Sequence, residues 1–155
     1  MATSAVPGAI DALLAILRAD AGLADVTVID GPPVGDMADQ DYVAVGWQDG
    51  SEESVQIAQT FNAAGGRTRD EDFAILCWLD TWTGDSDVRA RRLRAFELLA
   101  AIEAAIRASG ANPEAPTLNG TVLWSHFTAG VLKQANTDQG TRAGIAFTVT
   151  CRARI

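Results

Sequence analysis

The sequence predicts an α+β domain in which a mainly antiparallel sheet carries two helices on one face and sends out an extended hairpin. Three observations predict it. Apolar residues recur at helical spacing in two separate stretches, one near the start and one from Val88 to Ile106. In the last strand-like run Ile145, Phe147, Val149, Cys151 and Ala153 alternate with Ala146, Thr148, Thr150, Arg152 and Arg154, so one face is buried and the other wet. The strands and helices are segregated in the order helix, four strands, helix, two strands, with connections of hairpin length. The 155 residues fit one domain over 1–155, since separate cores become usual only beyond roughly 250 residues.

Ile10, Leu13, Leu14 and Leu17 share one helical face, Pro7 suits a first turn and Gly22 is placed to close the helix. Val26 to Ile29 is a short β-branched run ended by Gly31-Pro32-Pro33, and Val34 to Asp41 reads as loop. Tyr42 to Trp47 is a second strand. After the polar connection Gln48 to Glu53, Ser54 to Asn62 is a third, with Val55, Ile57 and Phe61 on one face. Ala64-Gly65-Gly66-Arg67 supplies the turn into a fourth, Phe73 to Trp82. Gly84-Asp85-Ser86-Asp87 offers N-cap side chains to the long helix, whose inner stripe reads Val88, Ala95, Leu99, Ile102 and Ile106. Phe96 and Leu98 flank that stripe, Leu93 lies further round, and Gly110 closes the helix. Asn112 to Asn119 connects to the strands Thr121 to Gln134 and Thr141 to Arg154, joined by a turn at Asn136 to Gly140.

Composition narrows the function. Hydrophobic residues make up 48% and charged residues 21%, as in a soluble globular chain, and no stretch of about 20 apolar residues is available to span a membrane. Met1 to Gly8 lacks the basic start of a signal peptide. Cys77 and Cys151 lie in apolar strand-like runs and read as reduced core residues of a cytoplasmic product. A net charge of −8 argues against gripping nucleic acid by its phosphates. The charge is polar along the chain: Ala19 to Gly66 holds nine acidic residues and no Lys or Arg, whereas Val88 to Ile155 holds nine basic and four acidic ones.

Catalytic chemistry has little foothold. His126 is the single histidine, and a nucleophilic pair would need Cys77, Cys151 or a serine brought to it; the adjacent Ser125 points to the opposite face, and an ordinary partly buried histidine is the plain reading. No GxSxG, HExxH, CxxC or phosphate loop occurs. Asp36, Asp39 and Asp41, and Asp70, Glu71 and Asp72, could offer oxygen ligands from loops, but neither set has an EF-hand ladder, and solvated loops explain them. No catalytic residue, metal or cofactor is expected. Arg89, Arg91, Arg92 and Arg94 crowd the start of the long helix as a phosphate patch, an interface for acidic partner surfaces or a solvated face; the low isoelectric point favours the interface. Trp78 and Trp82 share a strand face, while Trp47 and Trp124 belong to other strands, as core or as interface anchors. The hairpin begun by Ser54 to Asp72 is either a surface arm or a device that pairs with a neighbour's sheet edge.

The run Phe73-Ala-Ile-Leu-Cys-Trp-Leu-Asp80, the Gly84-Asp-Ser-Asp87 start of an Arg- and Ala-rich helix to Ile106, and two long strands ending in Thr148-Val-Thr-Cys-Arg-Ala-Arg154 resemble the tail terminator (tail completion) proteins of tailed bacteriophages. The likeness covers most of the chain and lies in element order and texture, with no diagnostic motif. It implies a virion subunit, assembled in the host cytoplasm. The subunit would form a homo-hexameric ring on the head-proximal end of the tail tube, stop tube polymerisation and present a head-tail joining surface to connector or neck proteins. DNA passing through the ring lumen would be its nucleic-acid contact. A head-closure or neck protein is the nearest rival, and a small ligand-binding domain or enzyme the reading from another class. The charge polarity would supply the two unlike patches of a head-to-tail ring. Arg89, Arg91, Arg92, Arg94, Arg152 and Arg154, with Arg67 and Arg69 of the hairpin, are the expected contacts to a neighbouring subunit or to the tube.

Overall fold

Helix α1 (Val6–Ala19) has its proline in the first turn, as the sequence predicts. In the computed structural model, which describes residues 3–35, 40–62 and 66–155, α1 buries Val6, Ala9, Leu13, Leu14 and Leu17 and leaves Ile10 half-buried. Gly22 does not close it. The helix ends on Asp20 in extended backbone, and Gly22 lies in the next turn, where its N–H donates to the Asp20 carboxylate at 2.8 Å. Strands β1 (Thr27–Asp30) and β2 (Tyr42–Val45) pair in parallel, while the other strand pairings of the described residues are antiparallel.

Strand β3 (Val55–Phe61) opens the predicted hairpin and pairs with β4 (Arg69–Thr83). The turn residues Ala64 and Gly65 lie outside the described residues, as do Asp36 and Asp39. β2 pairs with Cys77 to Asp80 and β3 with Arg69 to Ile75, so these two strands lie end to end along one edge of β4. β4 begins four residues earlier than its apolar run suggests. Its charged start, Asp70-Glu71-Asp72, is therefore strand and not loop, stabilised by cross-strand partners far away in sequence.

Helix α2 (Val88–Ile106) is capped by Asp87, whose carboxylate accepts from Ala90 N–H at 3.0 Å. Its core face differs from the predicted stripe: Ala95, Leu98, Ile102 and Ile106 are buried, Leu99 is half-buried at the flank, and Phe96 and Leu93 are exposed. The helix stops at Ile106, before Gly110, with Arg107 already extended. Strands β5 (Trp124–Thr137) and β6 (Gly140–Arg154) follow. β5 starts three residues later than expected because Leu118, Asn119 and Gly120 turn the chain through positive φ values of 46, 58 and 81°. The sheet runs β1-β2-β4-β6-β5, with β3 beside β2 on β4.

Both helices cover one face of this sheet. Phe73, Ile75, Cys77 and Leu79 of β4 and Ala143, Ile145, Phe147, Val149, Cys151 and Ala153 of β6 meet them there, so the alternation in β6 is borne out. Cys77 and Cys151 are buried and unbridged, and burial pushes both thiols up to about 12. The opposite face carries a strap. Residues 46–54 leave β2 and cross it, with Gln48 Nε2 donating to the Phe147 carbonyl and Lys133 Nζ to the Asp49 carbonyl, each at 3.1 Å. Under the strap Tyr42, Ala44 and Trp78 form a second, small core with Trp47 against it.

Candidate functional site

The basic residues expected to form one patch divide by what they touch. Arg94 bridges Asp25 and Asp41 at 2.9 Å each and Glu97 at 3.2 Å, which clamps α2 to the acidic β1–β2 region of its own chain. Arg91 turns towards the sheet and donates to Thr81 Oγ1 at 2.7 Å, and Arg92 donates to Gln134 Oε1 of β5 at 3.1 Å. Arg89 is exposed. Arg154 pairs with Asp70 at 2.8 Å, and Arg152 spans Asp70 and Asp72 at 3.5 and 3.7 Å. The Arg154 guanidinium, foremost, holds the Asp70 carboxyl below the usual carboxylate range. Arg67 is exposed at the hairpin and Arg69 half-buried. Part of the acidic–basic polarity in the sequence is therefore closed within one chain.

Among the described residues, which leave out Asp36 and Asp39, oxygen-ligand clusters do not form where the sequence offered them. Asp41, Asp70 and Asp72 are each in ion pairs with arginine, and Glu71 is fully buried at the start of α1. Among the described residues no group of three His, Cys, Asp or Glu is placed to hold a metal, and no helix is long and apolar enough to cross a membrane. Ser125 and His126 do lie on opposite faces: Ser125 is buried and donates to the Pro116 carbonyl at 2.9 Å, whereas His126 is exposed, not half-buried, and stacks on Trp124 at 4.9 Å between centroids. The two cysteines lie on the helix side of the sheet. His126 is on the other side, so these do not come together as a nucleophilic pair.

A buried polar knot lies beneath the strap. Asp80 Oδ2 accepts from Arg142 Nε at 2.6 Å, from Arg142 Nη2 and from Trp78 Nε1 at 3.4 Å, and the Lys133 and Arg142 cations sit 5.6 and 5.8 Å from the Trp78 ring. Tyr42, the only tyrosine, is buried beside them; burial first and the Asp80 carboxylate second push its phenol up to about 12, against a pull from Arg142. Because the folded state keeps a proton that the unfolded state loses near pH 10, stability is expected to fall between roughly pH 10 and 12 and to be unaffected by this group below that range. An ultraviolet titration of the folded protein should give a single tyrosine midpoint about 12, moved down in Asp80→Asn. A midpoint near 10 with circular dichroism unchanged would contradict it.

What composition does not reveal is the exposed apolar surface. Ile57 and Phe61 of β3, Leu93 and Phe96 of α2, and Trp124 and Val131 of β5 stand open to solvent. Absence of charge does not single these residues out, since Val55 to Asn62 is uncharged but so is the longer run Ala115 to Leu132.

The whole-chain architecture is therefore an α+β sheet domain whose polar clusters serve its own folding and whose open apolar residues lie at both sheet edges and on α2. No family model and no curated protein matches the sequence. Among solved structures, a chain in the virion of a native gene transfer agent (GTA) particle shares the fold at a TM-score of 0.62 and 16% identity, over 98% of this chain and 100% of that one.

Proposed function

We propose that this chain is a structural virion protein that forms a six-membered ring on the head-proximal end of a phage tail tube, ends tube polymerisation and offers a joining surface to the head connector. The observation that carries the reading is the full-length likeness of fold to a chain of a gene transfer agent virion, covering 98% of one and 100% of the other. The resemblance of element order to tail terminators supplies the finer position. Its partners are further copies, the tube protein and neck proteins. DNA crossing the lumen would meet a chain of isoelectric point near 4.5, which lets it pass without gripping it. The expected arginine contacts narrow to Arg89, Arg67 and Arg69, with Arg92, whose partner is the neutral Gln134, since Arg94, Arg152 and Arg154 are ion-paired within the chain and Arg91 turns inward.

Native mass spectrometry over a concentration series, with and without purified tail tubes, tests this. Six copies capping a tube end are expected, with Arg89→Glu/Arg92→Glu lowering the capped fraction about tenfold, the equivalent of roughly 1.4 kcal/mol. A twelve-fold ring, or binding to head portals and not to tubes, would make it a connector protein. A monomer indifferent to both would overturn the structural reading.

A further inference from the structure

We propose that β3 of one copy adds its free edge, antiparallel, to the free edge of β5 in the next copy, so that the sheet continues from subunit to subunit. The inference rests on the ring reading and names the surface that builds the ring. Its first support is β3 itself. Val55-Gln-Ile-Ala-Gln-Thr-Phe61 contains no charge, proline or glycine, which leaves it without the usual protections of an edge strand. Leu76 N–H donates to the Ser54 carbonyl at 3.0 Å, so the even-numbered backbone of β3 faces β4, and Val55, Ile57, Gln59 and Phe61 turn their N–H and C=O groups outward.

The second support is the opposite edge. β5 runs 14 residues with its far side open, and α2 overhangs it. Two contacts fix how α2 is rotated: Arg92 reaches Gln134 of β5 on one flank, and Arg94 reaches Asp25 and Asp41 on the other. The flank towards β5 therefore carries Phe96 and Arg89, with Leu93 above them, and Phe96 and Leu93 are 47% and 52% exposed. In β3, Ile57 lies opposite the buried Phe73, so Ile57 and Phe61 point to the helix side, where they are 53% and 72% exposed. A β3 strand docked on β5 at the height it holds in its own sheet, with the sheet faces continuous, lays these two residues on the helix side of the first residues of the neighbour's β5, level with Ser125.

Direction and charge agree. β3 is antiparallel to β4, β4 to β6 and β6 to β5, so rotation about an axis along the strands presents β3 antiparallel to β5. The exposed Glu52 and Glu53 that lead into β3 then face the end of the neighbour that carries Arg89, Arg92 and Lys133. The two patches are unlike, so the contact is head-to-tail, the kind that makes a ring where the rotation between copies closes.

Thiol cross-linking tests the pairing, using exposed positions on the helix-free face, with the native cysteines buried out of reach. Mixing Ala58→Cys with His126→Cys chains and adding a short bis-maleimide should give a linked dimer. The doubly substituted chain should give a ladder ending at the ring size, and each single variant alone should give nothing. A second variant, Ile57→Pro, removes an outward N–H together with the Ile57 side chain, keeps the β4 ladder and should raise the concentration needed for assembly at least tenfold with unchanged circular dichroism. Linkage of His126→Cys alone, rings without a 58–126 link, or normal assembly of Ile57→Pro would overturn this pairing and leave the ring reading standing. A wild-type chain that stays monomeric at every concentration and with tail tubes overturns both.

Discussion

Replacing Gly144 with alanine is expected to destabilise the protein by about 3 kcal/mol, the upper part of the range for overpacking, and to lower Tm by roughly 6–12 °C for a domain of this size. The reason is a ring in the way. Gly144 lies on the helix-free face of β6, opposite Asp80, and an added Cβ would meet Trp78 Cζ2, Cη2 and Cε2 at 2.2, 2.6 and 3.0 Å. Trp78 cannot retreat, because it is only 1% exposed, donates to Asp80, and lies close to the Lys133 and Arg142 cations. Thermal unfolding followed by circular dichroism measures the loss. Trp78→Leu in the same chain should remove part of the clash, so the double variant is expected to lose less than the two single losses added together. Additive losses, or an unchanged Tm for Gly144→Ala, would show that the ring is free to move.

Gly144 and Trp78 also show what a sequence discloses and what it withholds. The alternation of β6, the Asp87 cap and the β3–β4 hairpin were legible because each depends on neighbours a few residues away. The strap was not: residues 46–54 are polar and read as a plain connection, and only the Gln48 and Lys133 contacts, 99 and 84 residues distant in sequence, lay it across the sheet. The charged start of β4 misled for the same reason, since Arg152 and Arg154, which neutralise it, arrive from the last strand. In α2 the many alanines blur the apolar stripe, so Phe96 and Leu98 could not be ranked by periodicity. The position of the sheet decides that Leu98 is covered and Phe96 left open. The arginines of that helix followed suit. Residue type named them as contacts, but whether a guanidinium meets its own chain or another depends on where β1 and β2 begin, just after Asp25 and Asp41.

The second large effect concerns Glu71, a fully buried carboxylate at the joint between helix and hairpin. Helix α1 has no acidic residue in its first turn and no side-chain bond from its own N-cap. Ser4 Oγ accepts the Val6 N–H at 3.1 Å, and Glu71, reaching from β4, accepts the Ala5 N–H at 2.8 Å. Its other oxygen accepts from Gln59 of β3, whose amide also donates to the Thr3 carbonyl at 2.9 Å. One side chain thus serves the positive end of the helix dipole and ties β3 to the helix layer. Glu71→Ala leaves two donors facing a dry space, and the expected cost is about 3 kcal/mol, of the order of a lost hydrogen bond to a buried charge. Glu71→Gln is expected to cost less, near 1 kcal/mol, because its carbonyl still takes the Ala5 N–H while its amide opposes that of Gln59. Hydrogen exchange should show the first turn of α1 and the turn-ward end of β3 around Gln59 opening together in Glu71→Ala, ahead of the sheet centre. Equal stability of the alanine and glutamine variants would mean that the carboxylate merely fills space. Should β3 be the strand that a neighbouring copy receives, the same alanine variant loses the hold on its docking arm, and assembly should fall further than stability alone accounts for.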